Sequence, residues 1–268
     1  MRQTKPKAGY FRCGLPFNRL GDGPRPLVVF QGLLFENKPQ AGILISGYKF
    51  LEVDYTVYVV LRKPSLPVGC TLKDMADDYA RMIQEEFGGP LDVIGVSTGG
   101  SIAHHFAADH PDLLRRLIIH SSAYTLSDSA KRLQLRVGEL AGQRQWVQAY
   151  MLMLDGLMPD KGLMKPLARP LTWLASQAMG RFGAPKDPSD LLITVEAEDK
   201  FNFKDRLKEI KAPTLVAAGM EDPFYTPELF RQTAEGIPNA RLALYPGVGH
   251  PASGAQFERD VLAFLREQ

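Results

Sequence analysis

The chain has 268 residues, of which 45% are hydrophobic, and its 32 basic and 30 acidic side chains leave a formal net charge of +2. This length and composition allow a full buried core, and the small net charge excludes a strong general attraction to nucleic acid or to an anionic membrane. Cys13 and Cys70 form neither a Cys-x-x-Cys motif nor a zinc-like cluster, so we expect no metal site. We find no signal peptide and no membrane span, which predicts a cytoplasmic protein with a small-molecule partner and no integral membrane association.

The first part of the sequence alternates short apolar runs with turn residues. Residues 10–25 contain glycines and a proline between short apolar pieces, which predicts a strand or hairpin that ends in a tight turn. Residues 27–30 are typical of a buried strand, and this strand ends at the turn Gln31-Gly32-Leu33-Leu34. A helical segment over about 39–51 and a strand over 56–61 follow. The order of these elements already favours a mixed α/β fold.

The clearest helix of the sequence covers residues 72–87. Its apolar side chains recur at positions i, i+3, i+4, i+7, i+10, i+11 and i+15, as on one face of an α-helix. Thr71 and Asp74 have the spacing of a capping box at its start, and Gly88-Gly89-Pro90 ends it. The helix therefore leads directly into the next apolar run, which is a strand.

That strand, over residues 91–96, stops abruptly at the turn Gly95-Val96-Ser97-Thr98-Gly99, and helical spacing resumes at Ile102. A Gly-x-Ser-x-Gly turn between strand and helix holds its serine in a strained conformation and lifts the hydroxyl clear of the sheet edge. The N-terminus of the following helix favours negative charge at the same place. The glycine spacing fits neither a P-loop nor a dinucleotide fingerprint. We therefore interpret Ser97 as a nucleophile.

A further buried strand is predicted over 117–120, and the alternation of strands and helices predicts an α/β fold with a doubly wound, mostly parallel sheet. From about residue 123 to 210 the sequence no longer shows the pattern of apolar strands that alternate with helices. We therefore expect a core of residues 1–122 and 211–268 with an inserted helical cap over 123–210. Two apolar faces would line the underside of the cap: Trp146, Val147, Tyr150, Met151, Leu154, Leu157 and Met158 on one, and Leu167, Leu171, Trp173, Leu174 and Met179 on the other.

The last two predicted strands each lead to a residue that a serine nucleophile needs. The strand over 214–218 precedes Asp222, and the strand over 240–245 precedes His250. A serine hydroxyl needs an imidazole to take its proton, and the imidazole needs a carboxylate to orient it. Because the carboxyl ends of the strands form one crevice in a doubly wound sheet, we expect Ser97, Asp222 and His250 to meet there.

Three motifs in this order resemble those of the α/β-hydrolase fold superfamily, in its esterase-like branch with a serine nucleophile and a helical cap between the sixth and seventh strands. They are Gly95-Val96-Ser97-Thr98-Gly99-Gly100, then Gly219-Met220-Glu221-Asp222 followed by Pro227, and Gly247-Val248-Gly249-His250. The resemblance spans almost the whole chain. It implies Ser97 as nucleophile, His250 as general base and acid, Asp222 as the orienting carboxylate, and no cofactor.

The resemblance also implies an oxyanion hole made by the backbone N–H groups of Leu33 and Thr98. Many relatives have His-Gly where this chain has Gln31-Gly32, which leaves the shape of the hole open. Glu221 is an alternative to Asp222 as the acidic member. The substrate pocket is expected to include a set of mostly apolar side chains close to the strand ends and on the cap, namely Gln31, Leu34, His120, Trp146, Met151 and Leu154.

A serine at position 97 argues, through the resemblance, against the epoxide hydrolase and haloalkane dehalogenase branches, which attack with a carboxylate. The expected reaction is hydrolysis of small to medium hydrophobic esters or lactones through a serine-bound acyl intermediate. Hydrolysis of a carbon–carbon bond and peracid formation are alternatives that use the same three residues. A ligand-binding signalling protein with this fold is a third alternative. We expect a monomer or a homodimer.

Overall fold

The computed structural model of the chain describes residues 7–39, 46–158 and 164–267, and for residues 164–166 only the backbone. Part of the predicted helix over 39–51 lies outside the described residues, at positions 40–45. The described remainder is helical at Ser46 and continues through a turn into a 3₁₀ helix over Lys49–Leu51. Among the described residues, no helix combines the length and the apolar character that crossing a membrane requires.

Eight strands of the described chain form one sheet with the order β1-β2-β4-β3-β5-β6-β7-β8. The first two strands form the predicted N-terminal hairpin, and β2 also pairs antiparallel with β4. All other neighbours are parallel, which confirms the doubly wound, mostly parallel α/β fold. The strands are β1 Lys7–Tyr10, β2 Pro16–Leu20, β3 Arg25–Phe30, β4 Tyr55–Val60, β5 Leu91–Val96, β6 Leu114–His120, β7 Thr214–Gly219 and β8 Ala240–Tyr245.

The strand order reverses at β3, because the chain runs from β3 to β4 on one side and later returns to β5 on the other. Phe30 at the end of β3 pairs with Gly95 of β5, and Val96 at the end of β5 pairs with His120 of β6. The segments that follow β3 and β5 therefore leave the sheet side by side. A crevice at such a reversal is the usual ligand site of an open α/β sheet.

The helices of the described chain occupy the connections that the sequence predicts. Helix α1 begins with the expected capping box, in which Thr71 and Asp74 bond each other's backbone N–H, and it ends at Gly88 in the left-handed conformation. The α-helices are α1 Leu72–Phe87, α2 Thr98–Asp109, α3 Asp128–Gly142, α4 Trp146–Gly156, α5 Met164–Phe182, α6 Ser189–Asp199, α7 Pro227–Gly236 and α8 Ala255–Arg266.

The two faces of the sheet carry separate hydrophobic cores, because successive side chains of a strand point to opposite faces. Val28 and Phe30 of β3 pack on one face under α1, α2 and α7. Val29 of β3 and Ile94 of β5 pack on the other face under α8. Both faces of the parallel strands are thus covered and removed from water.

Helices α3 to α6 lie between β6 and β7 in the chain, and α3, α4 and α6 share a third hydrophobic cluster. In this cluster Trp146 and Tyr150 of α4 pack with Val137 of α3 and Leu191 of α6. Phe35, in the segment after β3, stacks on Tyr150 with ring centroids 4.1 Å apart, so the cluster reaches the crevice. The division of the chain into a core and a cap at residues 122/123 and 210/211 stays a prediction.

Helix α5 departs from the sequence expectation for the underside of the cap. Leu167 and Leu171 are each 71% exposed, and Trp173 and Leu174 are more than half exposed. Thr172 and Ser176 are the buried side chains of this helix instead. The predicted second apolar face is therefore corrected, because α5 presents its polar and small residues to the protein and its leucines to the solvent.

Candidate active site

Ser97 lies at the sharp turn between β5 and α2, with φ 53° and ψ −127°. This left-handed φ is uncommon for a residue with a side chain, and it requires small neighbours on either side. A Cβ atom at Gly99 would collide with the carbonyl oxygen of Phe30, and one at Gly95 would lie 2.6 Å from the Cβ of Ala103. The two glycines of the motif thus allow strand and helix to approach closely enough for the turn to form.

Ser97 forms one end of a chain of two hydrogen bonds. Its Oγ lies 3.0 Å from Nε2 of His250, and Nδ1 of His250 lies 2.7 Å from Oδ2 of Asp222. The carboxylate requires a proton on Nδ1, which leaves Nε2 free to accept the proton of the serine hydroxyl. The structure thus brings together the three side chains that the sequence placed at three strand ends.

Asp222 is held in place by its own turn. Its Oδ1 accepts hydrogen bonds from the backbone N–H groups of Phe224 and Tyr225, at 2.9 and 3.1 Å, while its side chain is fully buried. The ring of Phe224 packs against His250 with centroids 4.9 Å apart. The imidazole is therefore fixed both by its hydrogen bonds and by an apolar neighbour. Asp222, and not Glu221, occupies the position next to the imidazole.

The two residues expected to supply the oxyanion hole lie on either side of Ser97. Thr98 is the first residue of α2, and Leu33 follows Gly32 in the segment after β3. A Cβ at Gly32 would lie 3.2 Å from the Cβ of Ser97, so this segment passes directly over the serine. The N-terminus of α2 carries unpaired N–H groups and a positive partial charge at this place. That Leu33 and Thr98 donate to an oxyanion stays a prediction.

Ser97 lines a cavity of about 210 Å³. The other residues that line this cavity include Gln31, Leu33, Gln134 and His250. A second cavity of about 620 Å³ adjoins it, since both are lined by Leu33, Met153 and Leu157. The larger cavity is mainly apolar. Its remaining lining residues include Leu34, Phe35, Tyr150, Leu154 and Met179. Of the predicted pocket residues, Gln31 thus lies beside the serine, and Leu34 and Leu154 line the adjoining cavity.

The structure corrects the expectation that His120 lines the pocket. Its side chain lies on the face of the sheet opposite α1 and α2, where Tyr48 Oη and the carbonyl oxygen of Ala252 contact its two ring nitrogens at 3.2 and 2.8 Å. Its ring stacks on Phe257 of α8. Burial lowers the pKa of His120 to about 4, so the ring is neutral at physiological pH. His120 therefore has a packing role.

Two other predicted pocket residues also belong to the packing of the cap. Trp146 is buried in the cluster of α3, α4 and α6, with its ring 6.3 Å from that of Phe35. Met151 contacts the buried hydroxyl of Ser176 through its sulfur. Neither residue lines either of the two cavities, because both side chains point from α4 towards neighbouring helices rather than towards the crevice.

Comparison with known proteins identifies the family. The profile described as "Alpha/beta hydrolase family" matches residues 19–264. The chain belongs to this family. A curated relative from Variovorax paradoxus (strain S110), provisionally named carbamate hydrolase RutD, is 26% identical over 243 residues and is covered to 85%, as is this chain.

Solved structures of other proteins share the fold. A hydrolase from Pseudomonas aeruginosa PA01 is 20% identical with a TM-score of 0.76, and the match covers 98% of each chain. The enol-lactonase from Burkholderia xenovorans LB400 is 18% identical with a TM-score of 0.71, and the match covers 97% of this chain and all of the other. At these identities the likeness extends to the fold.

This alpha/beta hydrolase also contains two buried charged residues at the crevice that sequence reasoning missed. Glu198 of α6 accepts hydrogen bonds from the hydroxyl groups of Thr98, at 2.7 Å, and Ser101, at 2.9 Å. Arg62, after β4, donates to the carbonyl oxygens of Gln31 and Gly32 at 3.2 and 3.0 Å. Glu198 and Arg62 are 0% and 1% exposed. They therefore fix the two segments that flank Ser97.

Burial shifts the pKa values of Glu198 and Arg62 in opposite directions. Removal from water raises the pKa of the Glu198 carboxyl and lowers the pKa of the Arg62 guanidinium, because both charged forms lose hydration. Each charge attracts the other and so offsets part of this cost. No local motif signals such residues, since Glu198 lies 100 positions from the threonine that it contacts.

Proposed function

We propose that the protein is a serine hydrolase that cleaves small to medium hydrophobic carboxylic esters or lactones. The observation that carries this proposal is the pair of hydrogen bonds from Ser97 Oγ to His250 Nε2 and from His250 Nδ1 to Asp222 Oδ2, at 3.0 and 2.7 Å. The cavity at this arrangement adjoins a larger, mainly apolar one, and the chain belongs to a family of hydrolases. The hydrogen bonds among the three side chains, the cavities beside them and the family of the chain thus all favour ester hydrolysis.

In the first half of the reaction, His250 Nε2 takes the proton of Ser97 as Oγ attacks the carbonyl carbon of the ester. The negative charge that develops on the carbonyl oxygen is accepted by the backbone N–H groups of Leu33 and Thr98. Asp222 stabilises the imidazolium, which then gives its proton to the leaving alkoxide. The alcohol departs, and the acyl group remains on Ser97.

In the second half, a water molecule takes the place of the alcohol. His250 removes a proton from the water as it attacks the acyl carbon, and the same oxyanion contacts stabilise the second tetrahedral intermediate. Proton return from His250 to Oγ releases the carboxylic acid and restores Ser97. Every proton in this cycle passes between the substrate, water, Ser97 and His250, so the cycle consumes only ester and water.

The size and lining of the two cavities support a hydrophobic substrate. The smaller volume beside Ser97, about 210 Å³, suits the reacting carbonyl group, and the adjoining 620 Å³ suits an apolar chain. Leu33, Met153 and Leu157 form the boundary between the two volumes. We expect one substituent of the ester to pass this boundary and to lie against the apolar side chains of α4.

Carbamates are a second candidate substrate class. Curated relatives from Variovorax paradoxus and Serratia proteamaculans, 26% and 28% identical, are provisionally named carbamate hydrolases. A carbamate carbonyl is attacked by serine in the same way as an ester carbonyl, so the three residues serve both. A p-nitrophenyl carbamate belongs in the assay for this reason.

Turnover of p-nitrophenyl esters, from acetyl to about dodecanoyl, tests the proposal. We expect the native enzyme to hydrolyse the esters. Ser97→Ala should lower kcat at least roughly 10³-fold, since Ser97, His250 and Asp222 act together and the loss of the nucleophile disables all three. Ser129→Ala is the matched control, because Ser129 lies on the exposed start of α3, where its hydroxyl contacts that of Ser127.

An unchanged rate in the folded Ser97→Ala protein would place the reaction elsewhere and refute the proposal. Absence of turnover on every ester and carbamate, with a folded native protein, would favour carbon–carbon bond hydrolysis or ligand binding instead. Peracid formation is tested in the same series by adding hydrogen peroxide and a carboxylic acid.

A further inference from the structure

Helix α5 has its polarity reversed relative to an ordinary surface helix. Thr172, Ser176 and Gly180, which are spaced four residues apart, form the side that packs on α4. A Cβ at Gly180 would lie 2.6 Å from the backbone nitrogen of Val147, so the two helices approach closely there. A surface helix normally buries its apolar stripe and exposes its polar residues.

The opposite side of α5 is an apolar stripe in contact with solvent. Leu167, Leu171, Leu174 and Phe182 follow at i, i+4, i+7 and i+15, and they are 71%, 71%, 61% and 90% exposed. We call these four residues the outer face of α5. With Trp173 and Met179 on its flanks, α5 carries six of the eleven large exposed apolar side chains of the described residues. So concentrated a patch indicates an interaction surface.

The charges of the helix indicate the partner. The sequence of α5, from Met164 to Phe182, contains Lys165, Arg169 and Arg181 and neither aspartate nor glutamate. The protein as a whole has a net charge of only +2, so the positive charge of this helix is a local feature. Arg181 lies at the edge of the outer face, next to Phe182, whereas Arg169 lies on the side of the helix that carries Thr172. A basic residue beside an exposed stripe of leucine and phenylalanine, on a helix without acidic residues, is typical of helices that lie in the surface of an anionic membrane.

The outer face is connected to the crevice. Met179, on the flank of α5, lines the cavity of about 620 Å³, and Gly183 just after the helix lines it too. This cavity shares Leu33, Met153 and Leu157 with the cavity at Ser97. An apolar path therefore leads from the flank of the exposed helix to the serine hydroxyl.

A second copy of the chain fits this surface less well. A helix of 19 residues is roughly 28 Å long, so a stripe about 10 Å wide offers about 280 Å². A stable interface needs about 800 Å² from each partner. A two-fold interface through the outer face of α5 would also bring Arg181 of both copies into one contact without an acidic residue from either helix.

We propose that the outer face of α5 docks on an anionic lipid surface, and that hydrophobic substrates pass from this surface into the larger cavity. The docking is peripheral, with Leu167, Leu171, Leu174 and Phe182 among the acyl chains and Arg181 at the headgroups. Docking is independent of catalysis. The delivery of substrate rests on the proposed hydrolase function.

Flotation with vesicles of phosphatidylcholine mixed with phosphatidylglycerol tests the docking, with vesicles of phosphatidylcholine alone for comparison. The full chain carrying Ser97→Ala is used, so that turnover plays no part. We expect this protein to float with the mixed vesicles and its tryptophan emission to shift to shorter wavelength, since Trp173 is exposed while Trp146 is buried. A rise in salt should weaken the binding.

Two sets of additional substitutions identify the surface. Leu171→Ser, Leu174→Ser and Phe182→Ser together should lower the bound fraction at least tenfold. Arg181→Glu, beside the outer face, should also lower it severalfold, whereas Arg169→Glu, on the opposite side of the helix, should have a smaller effect. Val53→Ser with Val68→Ser is the matched control and should bind as the parent does, because these two apolar residues are 60% and 97% exposed but lie far from α5 in the sequence. Melting temperatures show that each variant is folded.

The docking is refuted if the parent does not float, or if the leucine and phenylalanine substitutions leave flotation unchanged. A dimer of the parent that these substitutions dissociate, without any vesicle binding, would assign the face to a second copy. With Ser97 intact, the same substitutions should slow hydrolysis of a long-chain ester held in vesicles and spare a soluble acetyl ester. Vesicle binding without any ester turnover would refute the proposed function and leave the docking in place.

Discussion

Thr98 joins the predicted oxyanion hole to the interior of the protein. Its backbone N–H lies at the start of α2, while its hydroxyl donates to Glu198 of α6. The second oxygen of Glu198 accepts from Ser101, one turn further along α2. A buried carboxylate from the cap region thus holds the first turn of the helix that follows Ser97. We regard Glu198 as a positioning residue, because it contacts the turn and not the reacting atoms.

Glu198→Gln tests this role. The amide keeps the shape of the side chain but offers only one acceptor oxygen, so one of the two hydroxyl groups loses its partner. We expect kcat for p-nitrophenyl esters to fall roughly tenfold with KM within about twofold, since a displaced oxyanion donor affects mainly the transition state.

The matched control is Glu196→Gln, the same change on the same helix at an exposed position. It should leave both kinetic parameters unchanged. Equal effects of the two substitutions, or an effect of Glu198→Gln on KM alone, would contradict the positioning role. The melting temperature separates a loss of positioning from a loss of fold.

Helix α4 forms much of the boundary between the two cavities. Met153 and Leu157 line both volumes, whereas Leu154 lines only the larger one. Tyr150 of this helix stacks on Phe35, and this contact connects the helix to the segment after β3. The helix therefore determines how long an apolar substituent the site accepts.

Leu154→Phe should shorten the preferred acyl chain. The larger side chain fills part of the 620 Å³ cavity and leaves the volume beside Ser97 as it is. We expect the chain-length optimum in the p-nitrophenyl series to move to shorter esters, with acetyl ester turnover within about twofold of the native rate.

Leu174→Phe is the control for this change, since Leu174 lies on a neighbouring helix and lines neither cavity. Its chain-length profile should match that of the native enzyme. If both variants keep the native profile, the larger cavity does not hold the acyl chain. Esters that differ in their alcohol group should then be compared instead.

At the scale of the whole molecule, buried neutral histidines make stability depend on pH. Burial lowers the pKa of His120 and of His104 to about 4, below the usual histidine value of 6.5. Between these values the unfolded chain binds protons that the folded chain does not. The stabilisation is therefore complete above about pH 6.5 and is lost as the pH falls towards 4.

For His120, linkage predicts a loss of about 2 kcal/mol in the free energy of unfolding between pH 7 and pH 5. His120→Gln should remove this part of the pH dependence, because glutamine does not titrate and can still contact Tyr48 and Ala252. Urea unfolding of both proteins at the two pH values measures the difference. Parallel losses in the native and variant proteins would show that His120 is not the group responsible.

The type and order of the elements are determined by the sequence itself. Apolar periodicity, the Thr71 and Asp74 capping box and the glycines around Ser97 are local properties, so they predict the strands, α1 and the turn at the nucleophile. The fold class and the family follow from these and are confirmed by the strand order and the profile match. The meeting of Ser97, Asp222 and His250 follows from topology, whereas their catalytic roles stay a prediction.

Only the tertiary structure decides which face of an element turns inward. The sequence shows that α5 has an apolar stripe, but whether the stripe or the small residues Thr172 and Ser176 are buried depends on the close approach of α4. His120 ends a central strand, yet the alternation of side chains and the position of Phe257 place it away from the crevice. Glu198 acquires its role from contacts with residues 100 positions away. Such pairings depend on long-range packing, which local sequence patterns do not encode.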